Sequence, residues 1–329
     1  MRILVRTIGT LFVCLQMCLI LAQADPLNAP NETDWLKTMS FAAHQTSYSG
    51  IFVYQSGGRI EISRITHVVD KDGEHERLEG LEGGRREVIR NNDQVWLYLG
   101  ERKMHMEKHQ MRRAFPALLP EQISALNENY VVKQAEEDRV AEFHAHTIVF
   151  QPKDNLRYTR KMWAHNESGL LLKAVVLDER GRVIEQYAFT QLNIGGNIDQ
   201  KWIVADKTAP AMAQRLHLSS LPKVEDIAGT SGWQVDALPT GFKKILEMQR
   251  PLREGKGPVI HLVFSDGLAG ISVFIEKAGD VNNLHMGLSG RGAVQVYNRV
   301  VGEHLVTVVG EVPPRTVIQV ADSVRYAGQ

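Results

Sequence analysis

The chain is nearly without cysteine: of 329 residues only Cys14 and Cys18 carry a thiol, and both lie in the first 24 positions. If that stretch is removed, no disulfide, thiol nucleophile or cysteine-held metal can be built from what remains. After this start there is no apolar run of the ~20 residues that a membrane-spanning helix needs. No excess of one charge exists either, since 38 Lys and Arg face 38 Asp and Glu. Without a strongly basic face, nucleic acid is not an expected partner. Catalytic signatures are missing too. There is no G-x-S-x-G elbow, no H-E-x-x-H and no phosphate loop. Carboxylates are plentiful but scattered, so no acid–base pair stands out, no catalytic residue is nominated, and an enzyme is not expected.

The start of the chain has the three parts of a secretory signal. Arg2 and Arg6 supply the cations, Ile8 to Ala22 the apolar middle, and Ala22-Gln23-Ala24 a small-x-small site before Asp25. Residues 1–24 are therefore expected to be a cleaved signal peptide, and the mature protein to reside outside the cytoplasm. Lipidation is not expected, because Cys14 follows Val13 and Cys18 follows Met17 rather than a small residue. The roughly 300 residues that remain are long enough for two domains. With 43% hydrophobic and 23% charged residues the composition is that of an ordinary globular protein.

Helical spacing of Trp35, Leu36, Met39, Ala42 and Ala43 predicts a helix over Asp34 to Ala43. Strand patterns follow almost without a break: Tyr48–Gln55, Arg59–Val69, Glu74–Leu81, Arg85–Arg90, Gln94–Leu99 and Lys103–Lys108. A helical interruption is expected near Glu121 to Leu126. Strands resume at Tyr130 and continue through Glu142–Gln151, Arg157–Ala164, Leu170–Leu177 and Val183–Leu192. Short Gly, Asn and Asp turns between them describe one large antiparallel sheet. From Asp206 to Ser231 the pattern breaks into a linker around a short helix, Met212 to Leu218. A smaller α+β unit then carries strands at Val259–Phe264, Ile271–Lys277, Ala293–Val301 and Leu305–Val309. Pro313-Pro314 opens a last helix with Val317, Val320, Ala321 and Val324 on one face.

In several strands of the large sheet both parities are apolar. Phe52 and Tyr54 point one way and Ile51 and Val53 the other; Trp96 and Tyr98 oppose Val95, Leu97 and Leu99. An antiparallel sheet with one wet face alternates more cleanly than this. Either the sheet is curled and filled, or its concave side lines an apolar cavity. For a cavity, the candidate lining residues are Phe52, Tyr54, Trp96, Tyr98 and Trp163. Arg85 and Arg86 enter a strand from the Gly83-Gly84 turn; they read either as solvated charge or as cations suited to an anionic partner or head group. Among twelve histidines, His144 and His146 would share a strand face, and Met104, His105, Met106, His109 and Met111 form a group of soft ligands. That group alternates with polar residues as a half-buried strand does, so no metal and no other cofactor is expected.

One ordered set of stretches is similar to the RseB/MucB family of periplasmic sigma-factor regulatory proteins. These are Gly84-Arg-Arg-Glu-Val88, Trp163, Ser168-Gly-Leu-Leu171, Leu177-Asp-Glu-Arg-Gly181, Leu238-Pro-Thr-Gly-Phe242, Arg250-Pro-Leu252, Phe264-Ser-Asp-Gly-Leu268 and Thr307-Val-Val-Gly-Glu-Val-Pro-Pro314. The resemblance implies a mainly β, α+β protein. Its N-terminal domain (31–205) would be a half-open antiparallel barrel like those of the carriers LolA and LppX. A linker (206–231) and a small α+β C-terminal domain (232–326) would follow. It implies a periplasmic negative regulator that binds the periplasmic domain of an RseA/MucA-type anti-sigma factor and shields it from regulatory proteolysis. Lipopolysaccharide or the acyl chains of lipids or lipoproteins would release it. The turn Ser265, Asp266, Gly267 and Leu268 then joins Arg85 and Arg86 as a candidate for partner or head-group contacts. The reading from another class is a periplasmic lipid or lipoprotein carrier, which does not need the C-terminal domain. A homo-oligomer is compatible with either.

Overall fold

The computed structural model describes residues 32–107, 114–120, 123, 126–200, 202–203, 231–251, 258–279 and 285–327. The expected signal peptide and the expected linker up to residue 230, with its short helix, lie outside the described residues, as do His109 and Met111. Helix α1 (Glu32–Gln45) leads into six strands: β1 (Tyr48–Ser56), β2 (Arg59–Asp70), β3 (Gly73–Gly80), β4 (Arg86–Asn91), β5 (Gln94–Leu99) and β6 (Arg102–Glu107). A one-turn helix α2 (Leu126–Asn129) precedes β7 (Tyr130–Val140), β8 (Phe143–Pro152), β9 (Thr159–His165), β10 (Leu171–Leu177) and β11 (Val183–Ile194). Of the helical interruption expected near Glu121 to Leu126, Leu126 opens α2, and residues 121, 122, 124 and 125 lie outside the described residues.

The eleven strands form one antiparallel sheet in the order β6-β5-β4-β3-β2-β1-β11-β10-β9-β8-β7. It is a meander except at one seam, where β1 pairs with β11. The sheet does not close, because β6 and β7 are its two edges. This is the half-open barrel that the family resemblance implies. Helix α1 covers the concave side. Its Leu36, Met39, Ala42 and Ala43 join Phe52, Ile65, Ile148 and Met162 in one buried cluster. A two-residue turn joins β7 to β8 with positive φ at both Ala141 and Glu142, 48° and 72°. Hairpins favour that turn, but it is strained for residues with a side chain.

The C-terminal unit comprises β12 (Trp233–Val235), β13 (Lys243–Pro251), β14 (Pro258–Ser265), β15 (Gly270–Lys277), β16 (Gly287–Arg291), β17 (Val294–Val301), β18 (His304–Gly310), α3 (Pro314–Asp322) and β19 (Val324–Tyr326). Six strands pair in the order β13-β14-β15-β18-β17-β16, and β12 pairs with β19. Val317, Val320 and Ala321 of α3 are fully buried against Leu262, Val273, Val306 and Val308. Val324, placed on the last helix by spacing alone, instead opens β19. The helix stops at Asp322, where the Ser323 hydroxyl and amide both turn back to the Val320 carbonyl.

Candidate functional site

Strand register assigns each apolar position to a face. Phe52 pairs with Phe189 and Tyr54 with Tyr187, which pairs in turn with Ala174 and through it with Met162. These residues share the concave side with α1. That side is filled. The connection between β6 and β7 inserts Phe115 among Phe52, Tyr187 and Phe189, with ring centroids 5.1, 5.5 and 5.0 Å away. Leu119 and Ile123 of the same connection join the cluster. Tyr54 lies 4.6 Å from the Tyr187 ring and donates its hydroxyl to Glu185 at 3.2 Å.

The remaining three cavity candidates stand on the other face. Ile65 of the concave cluster pairs with Leu78, and the row continues through Val88 and Leu97 to Met104. Trp96 and Tyr98 alternate with Leu97 and therefore point outward from the convex side. There Lys103 lies over both rings at 5.5 and 5.0 Å, and Arg85 over Tyr98 at 4.5 Å. Trp163, next to the inward Met162, is convex too, flanked by Lys161 and Lys173 at 4.7 and 4.6 Å and donating to Asp138 at 3.0 Å. A single lining made from all five is thus corrected by strand parity: Phe52 and Tyr54 face the concave interior, and the other three do not.

Arg85 and Arg86 border a shallow open hollow with Arg59, Gly83, Gly84 and Leu99. Arg85 donates twice to Glu87, at 2.6 and 3.0 Å, and Arg86 reaches Glu61 at 3.4 Å. Both side chains remain more than 40% exposed and can meet an anion from solvent.

Ser265 to Leu268 lie where the two units meet. Asp266, Leu268 and Ala269 are buried there, and Ser265 and Gly267 half-buried. Asp266 accepts the amides of Leu268 and Ala269 on one carboxylate oxygen at 3.0 and 2.8 Å. Its other oxygen accepts the Tyr130 hydroxyl at 2.8 Å and Arg157 Nε at 2.6 Å. All four lone-pair positions are used, so nothing is left for an outside partner. Ser265 closes the turn through Ala269 and Gly267. A side chain at Gly267 would meet Leu126 and Pro120 at 3.3 and 3.4 Å, and Leu268 joins the concave cluster itself. Arg157, fully enclosed, also donates to Asp154 and to the Thr240 carbonyl and lies 5.0 Å from the Phe242 ring. Burial works against its charge, yet the Asp266 bond holds the guanidinium pKa above its ordinary value. Burial, reinforced by Asp266, likewise pushes the Tyr130 hydroxyl well up. Arg160 to Glu311 at 3.2 Å and Thr316 to the Leu156 carbonyl at 2.9 Å extend the junction.

A second polar group pins α1 to the sheet. Glu74 Oε1 lies 2.8 Å from His44 Nδ1, 3.0 Å from His67 Nε2 and 2.5 Å from Arg90 Nη2. Met104 and His105 of the soft-ligand group point to opposite faces, and His105 bonds Gln94 at 2.6 Å.

Sequence reasoning missed Phe115, Tyr130, Arg157, Tyr187 and Phe189. One signal was available: Ala114-Phe-Pro-Ala-Leu-Leu-Pro120 is an apolar connection between strands, where polar residues are the rule.

Known proteins with this pair of units agree over most of the chain. The MucB/RseB N-terminal domain model matches residues 31–207 and the MucB/RseB C-terminal domain model residues 228–325. The sigma factor AlgU regulatory protein MucB of Pseudomonas aeruginosa is 32% identical over 90% of this chain and 92% of its own length. The sigma-E factor regulatory protein RseB of Haemophilus influenzae is 26% identical over 96% and 98%. A crystal structure of MucB in complex with MucA(peri) superposes with a TM-score of 0.68 at 28% identity, covering 91% of this chain and all of that one. The complex structure of Pseudomonas aeruginosa MucA/MucB gives a TM-score of 0.70 at 30% identity, covering 90% and 99%. With both units matched in order, the chain belongs to the MucB/RseB family of sigma-factor regulatory proteins.

Proposed function

We propose that this protein is a periplasmic negative regulator which binds the periplasmic part of a membrane anti-sigma factor and shields it from regulatory proteolysis. A lipid signal, from lipopolysaccharide or lipoprotein acyl chains, releases it. The observation that carries this reading is the likeness of the whole chain, both units included, to MucB bound to the periplasmic part of MucA. In this reading residues 206–231 separate the two domains. Phe52 and Tyr54, with Tyr187 and Phe189, line the acyl-chain site, and Arg85 and Arg86 meet an anionic head group. Each buried methylene yields about 0.8 kcal/mol, so one acyl chain supplies enough to bias an equilibrium between two states.

The test is capture of the anti-sigma factor's periplasmic segment, from the same organism, by purified mature protein with and without lipopolysaccharide. Capture at micromolar concentration, lost on adding lipopolysaccharide, is the expected result. Absence of capture sinks the regulator reading, and capture indifferent to lipid sinks only the lipid half.

A further inference from the structure

Resting on the lipid half of that reading, we propose that the segment Ala114–Pro120, between β6 and β7, is a relay: it occupies the acyl-chain site at one end and seats the C-terminal unit at the other. Phe115 fills the space between Phe52, Tyr187 and Phe189. A few residues on, Pro120 and Leu126 form the bed on which the Gly267 backbone lies. Leu126 is fully buried, and α2 hands the chain directly to Tyr130, which donates to Asp266. Leu268 of the C-terminal turn belongs to the same buried cluster as Phe115, Leu119 and Ile123. One short piece of chain therefore touches both the concave site and the junction.

The surroundings of Phe115 specify the displacing ligand. Three aromatic rings surround it, and the carboxylate of Glu185 lies beyond Tyr54. A saturated acyl chain fits these walls; a charged or hydrated group does not. An interior at native density has no spare room, so the chain enters only as Phe115 leaves. Withdrawal of Phe115 shifts Pro120 and disturbs the bed beneath Gly267. Linkage makes the effect reciprocal: whatever holds the C-terminal turn seated opposes acyl-chain entry by the same factor. The cargo site and the domain junction are thus read by one element.

The experiment uses the full mature chain, with anthroyloxy-palmitate as fluorescent probe and palmitate for hydrogen exchange. Phe115→Ala removes the internal competitor and Leu268→Ala loosens the seat. Each is expected to tighten probe binding about fivefold or more, the lower end of typical coupling between sites. In the unmutated protein, palmitate should speed exchange at Ala117–Leu119 and, in parallel, at Leu268 and Ala269, whose amides report on Asp266. Probe binding that ignores Leu268→Ala, or faster exchange confined to 117–119, overturns the relay while leaving lipid binding standing. No probe bound by either the unmutated protein or Phe115→Ala removes the lipid half of the function and the relay with it. Should a variant lose its circular dichroism, exchange in the unmutated protein decides alone.

Discussion

Asp266 carries more of the molecule's integrity than its place in a three-residue turn announces. Two of its four hydrogen bonds fold its own turn and two hold the other unit. Removing one partner of a buried ion pair leaves the other charge uncompensated. Asp266→Ala should therefore loosen the junction by about 3–5 kcal/mol, read as an earlier onset of urea unfolding, against about 1.5–3 kcal/mol for Tyr130→Phe, which deletes one bond to a charged acceptor. Glu74 gives a prediction in pH. Burial acts to raise its pKa, but the His44 and His67 bonds and the Arg90 charge outweigh it and hold the value far below the ordinary 4.5. The unfolded chain takes up this proton first. The stabilisation is complete above the ordinary value and is lost as pH falls from there through the depressed folded value. Glu74→Gln should flatten the fall in melting temperature between neutral and acid pH; an unchanged slope would remove Glu74 as a source of it.

Among the elements, the β7–β8 hairpin stores avoidable strain. Glu142 is exposed with φ of 72°. Glycine accepts that conformation freely, so Glu142→Gly should raise stability by about 1 kcal/mol, read as a higher urea midpoint at unchanged slope. Strand and turn signals made most of the large sheet legible in the sequence, because its turns are short and its strands rich in β-branched and aromatic residues. Strand β13 escaped notice because Lys243-Lys-Ile-Leu-Glu-Met248 is written in residues that favour helices. Strand β16 escaped because Gly287-Leu-Ser-Gly-Arg291 has the composition of a loop. The candidate site was half legible for a different reason. Alternation reveals that Trp96 opposes Leu97, but not which of them lies inside. That depends on register carried across every hairpin between β1 and β5, including the long turn at Leu81 to Arg85, and local sequence does not fix it.

In the whole molecule, the junction ties two separate cores into one cooperative object. Urea should unfold the protein in a single transition by both tryptophan fluorescence and far-ultraviolet circular dichroism. Asp266→Ala should separate the two curves, because each core then opens on its own. Coincident curves in that variant would show that other junction contacts suffice. The seam between β1 and β11 has a consequence in time. A chain that emerges N-terminus first can zip β1 to β6 from neighbouring hairpins at once. Strand β1 must then wait with one edge bare until more than a hundred residues later, when β11 arrives at Val183–Ile194. Through that interval the bare edge offers itself to any other extended chain. The last ladder to form is the one that joins the beginning of the sheet to its end, and for an exported chain the speed of delivery across the membrane sets how long that edge is exposed to its neighbours.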